Sequence, residues 1–260
     1  MTDPVVMSSS SLSTLLRCGL QWKFAYVDRI KEPPKVRMVI GTATHKGVET
    51  NLVQKIETEV DLPMNDVLDA YATEFDREVQ LVEKPEEPVG PAKDSGAALM
   101  RLHHIRVAPS IKPLAVEKET KFTINGNEYQ TYIDYLGQQP SGVRVGDTKT
   151  TAQARDGTNY IFQMIAGALG FRQDTGQTEA DIQLDMLVRT QKPKYHVVNW
   201  GPLTNAAIGV FAKQVEYANR MVKEGLFPAN GIQNHACGSC GYTRRCPAYQ
   251  AAYGSHKVNP

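Results

Sequence analysis

Apolar positions recur at helical spacing over Ser11–Val27, at 12, 15, 16, 20, 24 and 27, with serines ahead of them to cap the helix. Residues 1–10 are polar and read as a frayed end. Pro33-Pro34 closes the first helix. Gly41 to about Ile56 reads as a second helix, with Ala43, Val48, Leu52 and Ile56 inward and His45 near its start. Residues 61–80 read as an acidic helix, 84–95 as a Pro/Gly loop and 96–107 as helix again. The period then shortens to two. Leu114–Ile124, Glu128–Leu136 and Val143–Thr148 read as strands, with a hairpin turn at Asn125-Gly126-Asn127 and a second turn over Gln138–Gly142. Thr158–Phe171 is predicted helical. Ile182–Arg189 and Tyr195–Trp200 are predicted strands around a turn at Lys192-Pro193. Leu203–Glu224 is a long helix stopped by Gly225. The pattern is that of an α/β chain without internal repeats.

Composition narrows the class. With 260 residues, 41% apolar and 22% charged, the chain can bury a core, which excludes global disorder. The longest uncharged run, Tyr195–Ala212, contains Asn199, Pro202 and Asn205 and is too polar to span a bilayer. No basic segment followed by an apolar one opens the chain, so no secretory signal is read there, and a cytoplasmic home is expected. There the four cysteines are thiols or metal ligands rather than disulfides. The net charge of +1 decides nothing about a nucleic-acid partner, but its distribution is uneven. Residues 57–94 hold twelve acidic against three basic residues, and residues 187–260 nine basic against two acidic.

Two groups of residues carry candidate chemistry. The first runs from Ile133-Asp134-Tyr135 to Gly146-Asp147-Thr148-Lys149. Asp147 and Lys149, two apart on a strand, share a face. A hairpin register that brings Asp134 alongside would gather two carboxylates and one ammonium. Two close carboxylates repel unless protonated or bridged by a cation, and a hard cation such as Mg2+ suits oxygen ligands. Lys149 would then position an attacking water and offset charge on a phosphate. His45, behind small residues in Gly41-Thr42-Ala43-Thr44, can join a mixed N/O site. Gln163 lies on the helix after the third strand, within reach of the same place. Read alone, each also fits a bland role: an exposed ion pair, a hydrogen-bonded helical histidine, a solvent-facing glutamine.

The second group is Cys237-Gly238-Ser239-Cys240, followed by Cys246. Three thiolates this close call for a metal, with Cys18 as the fourth ligand and His235 as a weaker alternative. Zinc and an iron–sulfur cluster both satisfy four thiolates.

Together these residues resemble the RecB-like branch of the PD-(D/E)XK nuclease superfamily, closest to its iron–sulfur subset of AddB-type nuclease domains and small CRISPR-associated exonucleases. The matching stretches are Ser11–Thr14 through Cys18–Phe24, Gly41–His45, Ile133–Tyr135, Gly146–Thr150, and Gly225–Pro228 leading into the cysteines. The resemblance implies one domain over 1–260 with a mixed, restriction-endonuclease-like sheet flanked by helices. Residues 50–113 would be a helical cover, and 225–260 a tail docked on the first helix through a [4Fe-4S] cluster at Cys18, Cys237, Cys240 and Cys246. It makes His45, Asp134, Asp147 and the Thr148 carbonyl ligands of Mg2+ or Mn2+, Lys149 the catalytic lysine and Gln163 the glutamine of a QxxxY motif. The chain departs from that motif at Gly167, where tyrosine is usual; Tyr160, one turn earlier, is a substitute. Gly19 also stands where proline follows the cysteine.

The activity implied is metal-dependent exonucleolytic hydrolysis of DNA with a free end or a single strand, in repair or recombination. It would belong to a stand-alone enzyme or to the subunit of a helicase, CRISPR or recombination protein. The rivals are a DNA-end-binding recombination module of the same fold with weak catalysis, and a zinc-stapled DNA-binding protein.

Overall fold

A computed structural model describes residues 7–234 and 236–253, which divide into two compact units. One gathers 7–33, 121–131, 205–234 and 236–253; the other holds 34–120 and 132–204. Five strands form one sheet in the order β1-β2-β3-β4-β5: Pro113–Ile124, Asn127–Gln139, Gly142–Thr151, Asp181–Val188 and Lys194–Asn199. The sheet is mixed. β2 and β3 run antiparallel, β3 and β4 parallel, and β4 and β5 antiparallel. The parallel step needs a crossover, and helix α6, Ile161–Thr175, is that crossover.

In the larger unit, α3 (Val36–Thr58), α4 (Met64–Glu78) and α5 (Val89–Arg106) pack on one face of the sheet. Val39, Ile40, Ala43, Leu52, Tyr71, Phe75, Leu99 and Met100 are buried there with Tyr135 and Leu187. The opposite face carries α6, whose Phe171 packs with Ile133, Leu136 and Val145. α3 starts five residues before the start predicted from the sequence. Its first free amides, on Val36 and Arg37, donate to the Glu86 carboxylate at 2.9 and 3.1 Å, a cap supplied from fifty residues away. His45 therefore lies within the helix rather than near its start, and Ile56, predicted inward, is exposed. α5 likewise begins inside the predicted loop. Pro91 falls in its first turn, where a missing N–H costs nothing.

In the smaller unit the predicted first helix is broken. α1, Ser9–Arg17, is capped by Ser8, and the chain turns extended at Cys18 (φ −160°, ψ 106°). It continues as α2, Gly19–Trp22, and a wide π turn over Lys23–Val27. Trp22 is fully buried, donates to Ser11 Oγ at 2.8 Å and stacks on Phe227. Phe122 and Tyr129 of the β1–β2 hairpin stack beside Phe211 of α7, Asn205–Glu224. A last helix, α8, spans Pro247–Tyr253.

The Glu86 cap makes a stability prediction. Glu86→Ala leaves two helix-start amides without their acceptor and should lower unfolding free energy by about 1 kcal/mol in urea titration. No change in midpoint would mean that water replaces the cap at no cost.

Candidate active site

Two neighbouring strands lose their alternation at one level of the sheet. In β2, Ile133 and Leu136 both pack toward α6, whereas Tyr135 packs toward α3. Strict alternation forbids that, so the strand slips by one residue at Asp134. The β2–β3 ladder runs from Tyr135 opposite Gly146 to Gln139 opposite Gly142. Past its end the Asp134 carboxylate takes the strand's place and accepts the Thr148 N–H at 2.9 Å. A strand residue sends its N–H and C=O out by the same edge, so the Thr148 carbonyl faces the same gap. In β1, Ala115 packs toward α6 and Val116 toward α3, while Lys118 and Thr120 both reach Asp174 of α6. The slip is at Glu117, which holds a left-handed backbone with φ 47°.

The slips bring Glu117 and Asp134 to one histidine. His45 Nδ1 of α3 lies 3.3 Å from Asp134 Oδ2 and 3.9 Å from Glu117 Oε1. Lys149 Nζ donates to Asp147 Oδ1 at 2.7 Å and stands 3.9 Å from Asp134 Oδ2. Gln163 Nε2 of α6 donates to the same Asp147 oxygen at 2.8 Å. Asp147 Oδ2 is buried and has no hydrogen-bond partner. Every site residue predicted around Asp134 and Asp147 thus meets in one place. Glu117 was not among them, and its trace in the sequence is slight: the adjacent apolar pair Ala115-Val116, which interrupts the two-residue period.

Electrostatics follow from burial. Loss of water, then the neighbouring Asp134 charge, pushes the Asp147 carboxyl up to about 7, against the pull of Lys149 and His45. Burial works to discharge Lys149, but Asp147 and Asp134 outweigh it and hold the ammonium charged, with Tyr160 adding to their effect. His45 is likewise raised: burial lowers it, while Glu117 and Asp134 raise it more. An orphaned oxygen beside a second buried carboxylate is a donor set that fits a hard divalent cation. His45, Glu117 and Asp134 offer three ligand atoms within 4.8 Å of one another.

Gly167, one turn beyond Gln163, lies against Ile133 and Val145, where a Cβ would make ordinary contact with both at 3.4 and 3.5 Å. Tyr160 stands near enough to Lys149 to help hold it charged.

The cysteines form a second centre within the smaller unit. Cys18, Cys237, Cys240 and Cys246 line one cavity with Phe24 and Tyr242, and none is in a disulfide. A Cβ at Gly231 would stand 3.3 Å from Cys237 Sγ and 3.5 Å from Cys18 Sγ. Burial first, then the surrounding thiols, pushes Cys237 and Cys240 above the ordinary thiol range. Four thiols lining one cavity supply the donor set of a thiolate-bound metal group, whose charge offsets their ionisation. The tail is fastened to the first segment nearby: Tyr242 donates to the Ile30 carbonyl at 2.8 Å and Asn234 to the Arg17 carbonyl at 2.7 Å. His235 lies outside the described residues.

A mixed sheet that brings two aspartates and a lysine together on adjacent strands, one of them slipped, defines a class. The sequence profile of the PD-(D/E)XK nuclease superfamily matches residues 6–247. The chain belongs to that superfamily. Among solved structures it is similar in fold to a crystal structure from Eubacterium rectale of a protein provisionally named an exonuclease. The TM-score is 0.59 at 10% identity, over 86% of this chain and 83% of that one. SSO0001 superposes with a TM-score of 0.40 at 15% identity, over 90% of this chain and 95% of that one, too distant in shape to bear on the fold. Comparison with curated proteins gives no match. Among the described residues no helix is long and apolar enough to cross a membrane.

The raised Asp147 carboxyl fixes the sign of a pH effect. Without a cation the folded protein keeps a proton on Asp147 up to about 7, while the unfolded chain releases it from its ordinary 3.8 upward. The native state then binds more protons, so stability of the metal-free protein falls as pH rises from about 4 to about 7. Asp147→Asn removes that contribution, and its melting temperature should change less across the interval than that of the wild type. Thermal melts in chelator at several pH values check this; parallel curves would mean that the carboxyl ionises normally.

Proposed function

We propose that the protein is a divalent-metal-dependent deoxyribonuclease acting on DNA ends, with a structural iron–sulfur cluster. The reading is carried by the buried, unpartnered Oδ2 of Asp147 beside Asp134, within a site that also holds a charged lysine. Asp134, Asp147, His45 and the Thr148 carbonyl are the residues that would hold Mg2+ or Mn2+, with Glu117 at the rim. When bound, the ion would polarise the scissile phosphate and acidify its water. Lys149, kept charged by the two carboxylates, orients the attacking water and offsets negative charge as it grows on the phosphate. Gln163 fixes the Asp147 oxygen that Lys149 also uses, so the carboxylate turns its other oxygen to the gap. Tyr160 is the substitute for the missing motif tyrosine in handling the substrate. Action on ends is supported by the fold likeness to the provisionally named exonuclease.

For the cysteine centre, the four thiols that line one cavity supply the ligand set of an iron–sulfur cluster. All four thiolates are then used, which leaves the cluster a structural role.

Two experiments test these readings. On end-labelled single- and double-stranded DNA with Mg2+ or Mn2+, Asp134→Ala and Asp147→Ala should abolish cleavage and weaken metal binding. Lys149→Ala should bind metal but cut at least about 100-fold more slowly. Near wild-type turnover of Lys149→Ala would overturn the assigned chemistry. Separately, purified protein should absorb near about 400 nm and contain iron. Cys18→Ala should bleach it and lower its melting temperature; full iron content and an unchanged melt would exclude Cys18 as a ligand.

A further inference from the structure

A third carboxylate lies buried in the sheet, away from the orphaned oxygen. Asp185, in the middle of β4, has no exposed surface. It accepts hydrogen bonds from the Tyr135 hydroxyl at 2.6 Å, the Tyr195 hydroxyl at 2.7 Å and Gln183 Nε2 at 2.9 Å. All three partners are neutral. Burial pushes its carboxyl up, and the three donors pull it back. A carboxylate so placed costs free energy that an apolar side chain would not, and such networks earn their keep by specifying one arrangement over its competitors.

The register says which arrangement. Tyr135 follows Asp134 directly, at the residue where β2 resumes its ladder. Its Cα stands opposite Gly146, the residue before Asp147, and its ring lies so close over Gly146 that a Cβ there would overlap it. Asp185 is level with Thr148, between Asp147 and Lys149. One rigid side chain therefore lies against backbone adjoining both site aspartates and is tied at its far end to β4, across β3. A slip in β2 has an alternative: one residue later, Tyr135 would leave the α3 face. Only with Tyr135 on the α3 face can its hydroxyl reach Asp185.

We propose that the Tyr135–Asp185 hydrogen bond is a positioning device that fixes the β2 slip and so holds Asp134 in place beside Asp147. This rests on the reading of those aspartates as a divalent-metal site. Tyr195 supplies an internal control. It donates to the same carboxylate at nearly the same distance, but from β5, which carries none of the site residues.

The test compares Tyr135→Phe with Tyr195→Phe in the full-length protein. Each removes one hydroxyl and one hydrogen bond to Asp185. Melting temperature should fall by similar amounts in both. Mn2+ affinity, measured by calorimetry, should fall at least about fivefold in Tyr135→Phe and stay within about twofold of wild type in Tyr195→Phe, with turnover on end-labelled DNA following the same split. Equal Mn2+ affinity in the two variants would overturn the proposal and leave the network a purely stabilising one. Should Tyr135→Phe prove insoluble, Asp185→Asn replaces the anchor by a weaker, neutral acceptor; its Mn2+ affinity should also fall, and wild-type affinity would overturn the proposal. A wild-type protein that neither binds Mn2+ nor cuts DNA would instead overturn the metal-site reading, and the positioning role with it.

Discussion

Two carboxylates that repel each other are held at the same buried level of one sheet, and the larger unit is arranged around that conflict. Asp134 is quieted by a backbone amide and approached by a histidine, while Asp147 takes a lysine and a glutamine on one oxygen and leaves the other bare. These partners come from three elements: β3, α3 and α6. None of them relieves the repulsion fully, as the raised Asp147 carboxyl records.

Regular structure alone would not gather these groups. Strictly alternating strands would send Asp134 and Ile133 to opposite faces and leave Glu117 on the α6 side. The slip at each residue swings a carboxylate toward the strand gap, and the left-handed backbone of Glu117 is the cost of doing so without glycine. Irregularity is concentrated where the chemistry is, while β3 and β4 between Arg144–Thr151 and Asp181–Val188 pair without interruption.

Much of this was legible in the sequence. The change from helical to two-residue period located the sheet, and the D…DxK spacing, with its resemblance, located the site. Helix starts were less legible. α3 and α5 begin early because a distant Glu86 and an N-terminal Pro91 make those starts tolerable, and neither effect is visible in a local window. The break at Cys18 was read through, because hydrophobic spacing continues across it. Glu117 was missed for a related reason: its importance comes from one dihedral angle, and a glutamate between a valine and a lysine looks like any exposed strand residue. The Asp185 network was also invisible, since a lone Asp in an apolar strand gives no hint of which tyrosines will meet it.

The smaller unit is assembled from three pieces of chain, the last of which carries Cys246 and α8. Its first piece leaves the ribosome before the larger unit has been made, and it must wait with Trp22 and Cys18 unburied until residues 205–253 emerge. The larger unit, complete once Thr204 is out, can fold in that interval. The order of synthesis therefore places closure of the cysteine centre after the larger unit's last residue. A chain cut short between Thr204 and Cys246 would carry every residue of the candidate site and still lack part of the cysteine set, leaving Trp22 and its neighbours with apolar surface that cellular proteolysis can distinguish from the finished protein.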